Sequence, residues 1–96
     1  MEFLVSYDIN TETPEGERRL RQVAKICEGF GQRVLKSVFE CVLDRAGFEE
    51  LVASINDVIV PSEDSVRIYR LREPRDRYLW RLGRDLDFDI HRPLIV

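Results

Sequence analysis

One histidine, two cysteines and five glycines in 96 residues leave several kinds of chemistry without material. Cys27 and Cys41 have no second cysteine pair to join them, so neither a closed zinc site nor a disulfide framework is available, and both read as buried thiols. His91 sits beside Arg92 with no partner at a spacing that suggests a proton relay. The stretch "DINTETPEGE" after the first strand contains only Gly16, so a glycine-rich ligand loop is missing as well. Asp85, Asp87 and Asp89 lack the turn glycine and the later glutamate of an EF-hand calcium loop. No apolar run approaches the roughly 20 residues of a membrane span. "MEFLVSYD" has neither the basic start nor the cleavage site of a signal peptide. A cytoplasmic protein without a membrane partner is expected.

What is there suits one small folded unit. Hydrophobic residues make up 44% and charged residues 34%, and 96 residues support one core, so a single domain over 1–96 is expected. The net charge of −3 argues against a polyanionic partner until its distribution is examined. Residues 15 to 36 hold six basic residues against Glu15, Glu17 and Glu28, and residues 66 to 84 hold seven arginines against Glu73 and Asp76. The stretch from 40 to 64 is acidic. Local basic surfaces suffice for phosphate binding, because counterion release depends on the contact rather than on the total charge. Solvated helix and strand faces would give the same segregation.

"EFLVSY", residues 2 to 7, is a strand, and it runs directly into Asp8. Thr13 and Pro14 then start a helix in which Leu20, Val23, Ala24 and Cys27 form the core-facing stripe, with Arg18, Arg21, Gln22 and Lys25 on another face. Gly29 and Gly31 are expected to stop it. Residues 33 to 44 are β-branched and aromatic, either one long strand or two with a tight corner near Ser37. A second helix buries Phe48, Leu51, Val52, Ile55 and Ile59 and ends before Pro61, and "DSVRIYRL", 64 to 71, is the next strand. This order predicts an α+β protein, a ferredoxin-like βαββαβ sandwich. Leu86, Phe88 and Ile90 suggest an additional C-terminal strand, and residues 73–96 an extension that packs on a partner subunit. A homodimer would cover both the apolar "PLIV" end and the sheet face that two helices leave open.

"YDI" at 7–9, "RRLRQVAKICEGFGQRVLKSVFECVL" at 18–43 and "DSVRIYRL" at 64–71 closely resemble the CRISPR-associated protein 2 family, in the same order and over nearly the whole chain. Pro93, Leu94 and Ile95 are similar to the "PLI" end of one of its branches. The resemblance implies a ferredoxin-like homodimer in which Asp8 meets its symmetry mate. The two carboxylates would hold Mg²⁺, or Mn²⁺, for phosphodiester hydrolysis of single-stranded RNA or double-stranded DNA. It also implies that Ser37 and Phe39 border that site and that Arg19, Arg21 and Arg33 grip phosphates. Tyr7 would orient the loop or a nucleotide. As an adaptor, the dimer would hold captured duplex DNA together with the CRISPR-associated integrase. A purely structural adaptor without nuclease activity is the alternative, and a dimer that binds a small metabolite is a distant third. Taken alone, Asp8 reads as a turn cap and Phe39 as core.

Overall fold

A computed structural model describes residues 1–83. It consists of β1 (Glu2–Asp8), α1 (Pro14–Phe30), β2 (Gly31–Leu35), β3 (Val38–Val42), α2 (Arg45–Asn56), β4 (Ser65–Arg70) and a short 3-10 turn, Arg75–Tyr78. The strands form one antiparallel sheet in the order β2-β3-β1-β4. With both helices packed on one face, this is the expected ferredoxin-like βαββαβ sandwich. The additional C-terminal strand predicted around Leu86, Phe88 and Ile90 lies outside the described residues. Among the described residues no helix is long and apolar enough to cross a membrane.

Local chemistry accounts for the boundaries. The Thr13 hydroxyl accepts the Gly16 N–H at 3.1 Å and Pro14 occupies the first turn, where its missing N–H costs nothing. The helix continues through Gly29 and stops at Gly31, so only the second glycine acts as the predicted stop. Gly31 opens β2 at a point where a Cβ would run into the Glu40 carbonyl and the Cys41 sulfur. The 33–44 stretch divides into two strands around Lys36 and Ser37, a corner that neither glycine nor proline marks. Asp44 caps α2, its Oδ1 accepting the Gly47 N–H at 2.7 Å. Ile59 lies beyond the last turn and packs on the core from there.

Strand alternation sorts the sheet into two faces. Val5 and Tyr7 of β1, with Phe39 and Cys41 of β3, pack against Val23 and Cys27 of α1 and Leu51 and Ile55 of α2, and Phe3 on the same face is buried as well. Phe3 stacks on Phe48 with ring centroids 4.7 Å apart. The other face carries Leu4, Ser6 and Asp8, flanked through the strand register by Val38 and Glu40 on one side and by Ser65, Arg67 and Tyr69 on the other. Residues 71–78 cross one end of it. Arg75 donates its backbone N–H to Glu2 at 2.9 Å and approaches Glu40 at 3.6 Å, while Leu71 donates to the Glu2 carbonyl. The first part of the 73–96 extension is therefore fastened to its own chain. Tyr69, Trp80 and Leu82 remain exposed, Leu82 at 93%.

Two substitutions check the packing. Leu51→Ala should cost about 2–5 kcal/mol in urea unfolding, the range for a fully buried leucine. Gly16→Ala should lower Tm although alanine is the better helix former by about 1 kcal/mol, because its Cβ collides with the Asn10 carbonyl. A rise in Tm would contradict that close approach.

Candidate nucleic-acid and metal site

Asp8 ends β1 on the sheet face away from the helices, exposed, and its carboxylate forms no hydrogen bond or ion pair with a described residue. The segment that follows is held from below. Asp64, just before β4, has a fully buried carboxylate that accepts Arg19 Nε at 2.8 Å and Arg19 Nη2 at 3.3 Å. The same group accepts the Asn10 N–H at 3.1 Å and the Val60 N–H at 2.9 Å. One side chain thus ties α1, the loop after Asp8 and the loop before β4 together. Burial pushes the Asp64 carboxyl up, but the bond from Arg19 and then those from Val60 and Asn10 outweigh it and leave the group below its ordinary value.

The predicted site residues separate on this scaffold. Asp8, Tyr7, Arg21, Arg33 and Ser37 line one open cleft of about 470 Å³ between α1 and the turn that joins β2 to β3. The turn is fixed to β1 by the Tyr7 N–H, which donates to the Ser37 carbonyl at 3.1 Å. Tyr7 is itself buried, its ring stacked on Phe39 at 6.2 Å. Burial pushes its phenol above the usual range, and the neighbouring Arg33 guanidinium works against the rise. Arg33 lies over the Phe39 ring, 5.1 Å from its centroid, and approaches Glu28 at 3.5 Å. Its Nε is buried without a hydrogen-bond partner.

Arg19 and Phe39 stand apart from that group. Phe39 is fully buried and supports the site from the core. Arg19 does not line the cleft; its guanidinium is engaged through Nε and Nη2 by Asp64 and, at 3.6 Å, through Nη2 by Glu63. In sequence it stands two places from Arg21, which fits two different surfaces. Lys36 and Thr11 also line the cleft and were not expected there. The unmarked corner hid Lys36. Asp64 stands in the sequence only as the first residue of the 64–71 stretch, and the distant Arg19 reveals it as a hub. The thiols match their reading: burial pushes Cys27 up to about 12 and Cys41 to about 11.

The family model for CRISPR associated protein Cas2 matches residues 1–78. The chain belongs to the Cas2 family. It is 48% identical over 96 residues to the CRISPR-associated endoribonuclease Cas2 1 of Moorella thermoacetica, covering 100% of both chains. It is 39% identical to the CRISPR-associated endonuclease Cas2 of Halalkalibacterium halodurans, covering 99% of each. The crystal structure of Streptococcus pyogenes Cas2 superposes with a TM-score of 0.77 at 46% identity, covering 86% of this chain and 100% of that one. The family match extends over the strand that ends in Asp8, the cleft and the Asp64 hub.

Stability should report the hub through pH. Because the folded Asp64 carboxyl lies below its ordinary 3.8, its contribution is complete above about pH 4 and disappears as pH falls through the folded value. Asp64→Asn should therefore lose on the order of 5 °C or more in Tm at pH 7, with the gap from the parent closing in acid. A gap independent of pH would contradict the ionised hub.

Proposed function

We propose that two copies of the chain pair through their uncovered sheet faces, so that the two Asp8 carboxylates meet and hold a divalent cation for phosphodiester hydrolysis. The observation that carries this reading is the placement of Asp8: an exposed carboxylate with no partner among the described residues, at the margin of a half-apolar sheet face that nothing described covers at that end. Among the described residues no group of three or more His, Cys, Asp or Glu side chains lies together, so one chain does not offer a crowded metal cage. That fits Mg²⁺ or Mn²⁺, which accept one or two carboxylates and fill their remaining positions with water and phosphate. The cation would offset charge developing on the phosphate and acidify the attacking water.

The chain's own residues supply binding and placement. Arg21, Arg33 and Lys36 surround the cleft next to Asp8 and supply cations for a phosphate backbone. Arg21 and Lys36 form no ion pair with a described residue. Arg19 acts from beneath by holding the loop that leaves Asp8. The same basic surfaces support holding of duplex DNA beside the CRISPR-associated integrase, the adaptation role that membership of the family suggests. Nuclease and adaptor functions need the same grip and differ in their need for Asp8.

Cleavage of labelled single-stranded RNA and duplex DNA, with Mg²⁺, Mn²⁺ or chelator, separates them. Metal-dependent cleavage should fall by at least about a hundredfold in Asp8→Asn, while binding in chelator stays intact. Binding without cleavage in the parent protein would leave the adaptor role alone. Lys36→Gln should weaken duplex binding for every sequence and reduce the slope of log K against log salt by about one. An unchanged slope would remove Lys36 from the phosphate surface.

A further inference from the structure

Among the described residues, the sheet face away from the helices carries four charged strand residues: Glu2 and Asp8 of β1, Glu40 of β3 and Arg67 of β4. Two of them are matched within the chain. Arg75, from the segment that crosses one end of the face, donates its backbone N–H to Glu2 and approaches Glu40 at 3.6 Å. At the other end Asp8 and Arg67 are both exposed, and neither forms an ion pair with a described residue. One carboxylate and one guanidinium are thus left over on each copy, at the end of the face where two copies are proposed to meet.

The strand register brings the two groups close. Asp8 stands opposite Ser65 and Ser6 opposite Arg67, so Asp8 and Arg67 are diagonal neighbours, a relation that sets residues roughly 7–8 Å apart. Arg67 nevertheless donates from Nη1 to the Tyr69 hydroxyl at 3.4 Å, a long bond between exposed groups that leaves most of the guanidinium's donors open. When two such faces approach, their Asp8 carboxylates come together and repel unless a positive charge lies between them. We infer that Arg67 of each copy pairs with the Asp8 carboxylate of the other, so that the chains associate without a bound metal ion. The inference rests on the face-to-face pairing proposed above and adds what neutralises the seam before a divalent cation enters. Charge complementarity selects the occupant: a two-fold pairing meets each leftover acid with a leftover base, so the surface fits a second copy of this chain. Arg67 is then the charge that a divalent cation displaces from between the carboxylates.

Sedimentation equilibrium of the full chain, in chelator and then with Mn²⁺, tests the pairing. In chelator, Arg67→Gln should raise the dimer dissociation constant at least about tenfold, the loss of a close interfacial charge pair on each side of the two-fold. The position is exposed, so the variant keeps its core. In an Asp8→Asn background the same change should lose its effect, the ratio of dissociation constants falling close to one because the acid that Arg67 answers is gone. Mn²⁺ should return Arg67→Gln to nearly the parent's association, and failure to do so would overturn the displacement. Equal dissociation constants for the parent and Arg67→Gln in chelator would overturn the ion pair and leave the paired faces standing. A weakening that persists unchanged in the Asp8→Asn background, or a parent that pairs only with Mn²⁺, would do the same. A parent that stays monomeric both with and without Mn²⁺ would overturn the paired faces together with the inference.

Discussion

The Asp64 carboxylate, buried beneath the loop that leaves β1, accepts two bonds from Arg19 and one each from the Asn10 and Val60 N–H groups. A charge in that position is tolerable because every bond it receives favours the ionised form. The consequence extends beyond stability. Asn10 is two residues from Asp8, and Arg19 lies in the first turns of the helix whose next turn presents Leu20, Arg21 and Ala24 to the cleft. The position of the exposed carboxylate and that of the cleft wall therefore derive from one internal anchor. Removal of that anchor leaves a guanidinium and two N–H groups to find new partners at the end of the molecule where nucleic acid is proposed to bind.

A second constraint is the asymmetry of the sheet. Two helices cover one face, and the other shows Leu4, Val38 and Tyr69 beside Ser6, Arg67 and Asp8. Residues 71–78 close only the end that carries Glu2 and Glu40, far along β1 from Asp8. Among the described residues the rest of this face mixes apolar and polar side chains, a composition that suits a protein interface. In the proposed pairing of two such faces one carboxylate would become two, and the exposed Tyr69, Trp80 and Leu82 would gain a surface to meet.

Much of this was legible in the sequence because it rests on local rules. Thr13-Pro14, the stripe from Leu20 to Cys27 and the alternation of Phe3, Val5 and Tyr7 follow from capping and periodicity alone. Asp8, Tyr7, Arg21, Arg33 and Ser37, singled out through the family resemblance, line one cleft. The features that escaped are long-range. Arg19 and Asp64 are 45 residues apart, and nothing in either neighbourhood announces their pairing. Lys36 entered the cleft through a strand corner without glycine or proline, and the register shift between Arg33 and Leu35 that shapes this corner depends on pairing with β3. Gly29 misled because an exposed glycine with free space around it is tolerated inside a helix, whereas Gly31 is required by its contacts with Glu40 and Cys41.

The central claim is that Asp8 forms half of a cation site which a second copy completes. Titration of the purified full chain with Mn²⁺ by calorimetry, alongside Asp8→Ala with the same oligomeric state, tests it most directly. The account predicts one tightly bound ion for every two chains, lost in the variant. One ion for each chain, or the same binding in the variant, would contradict it.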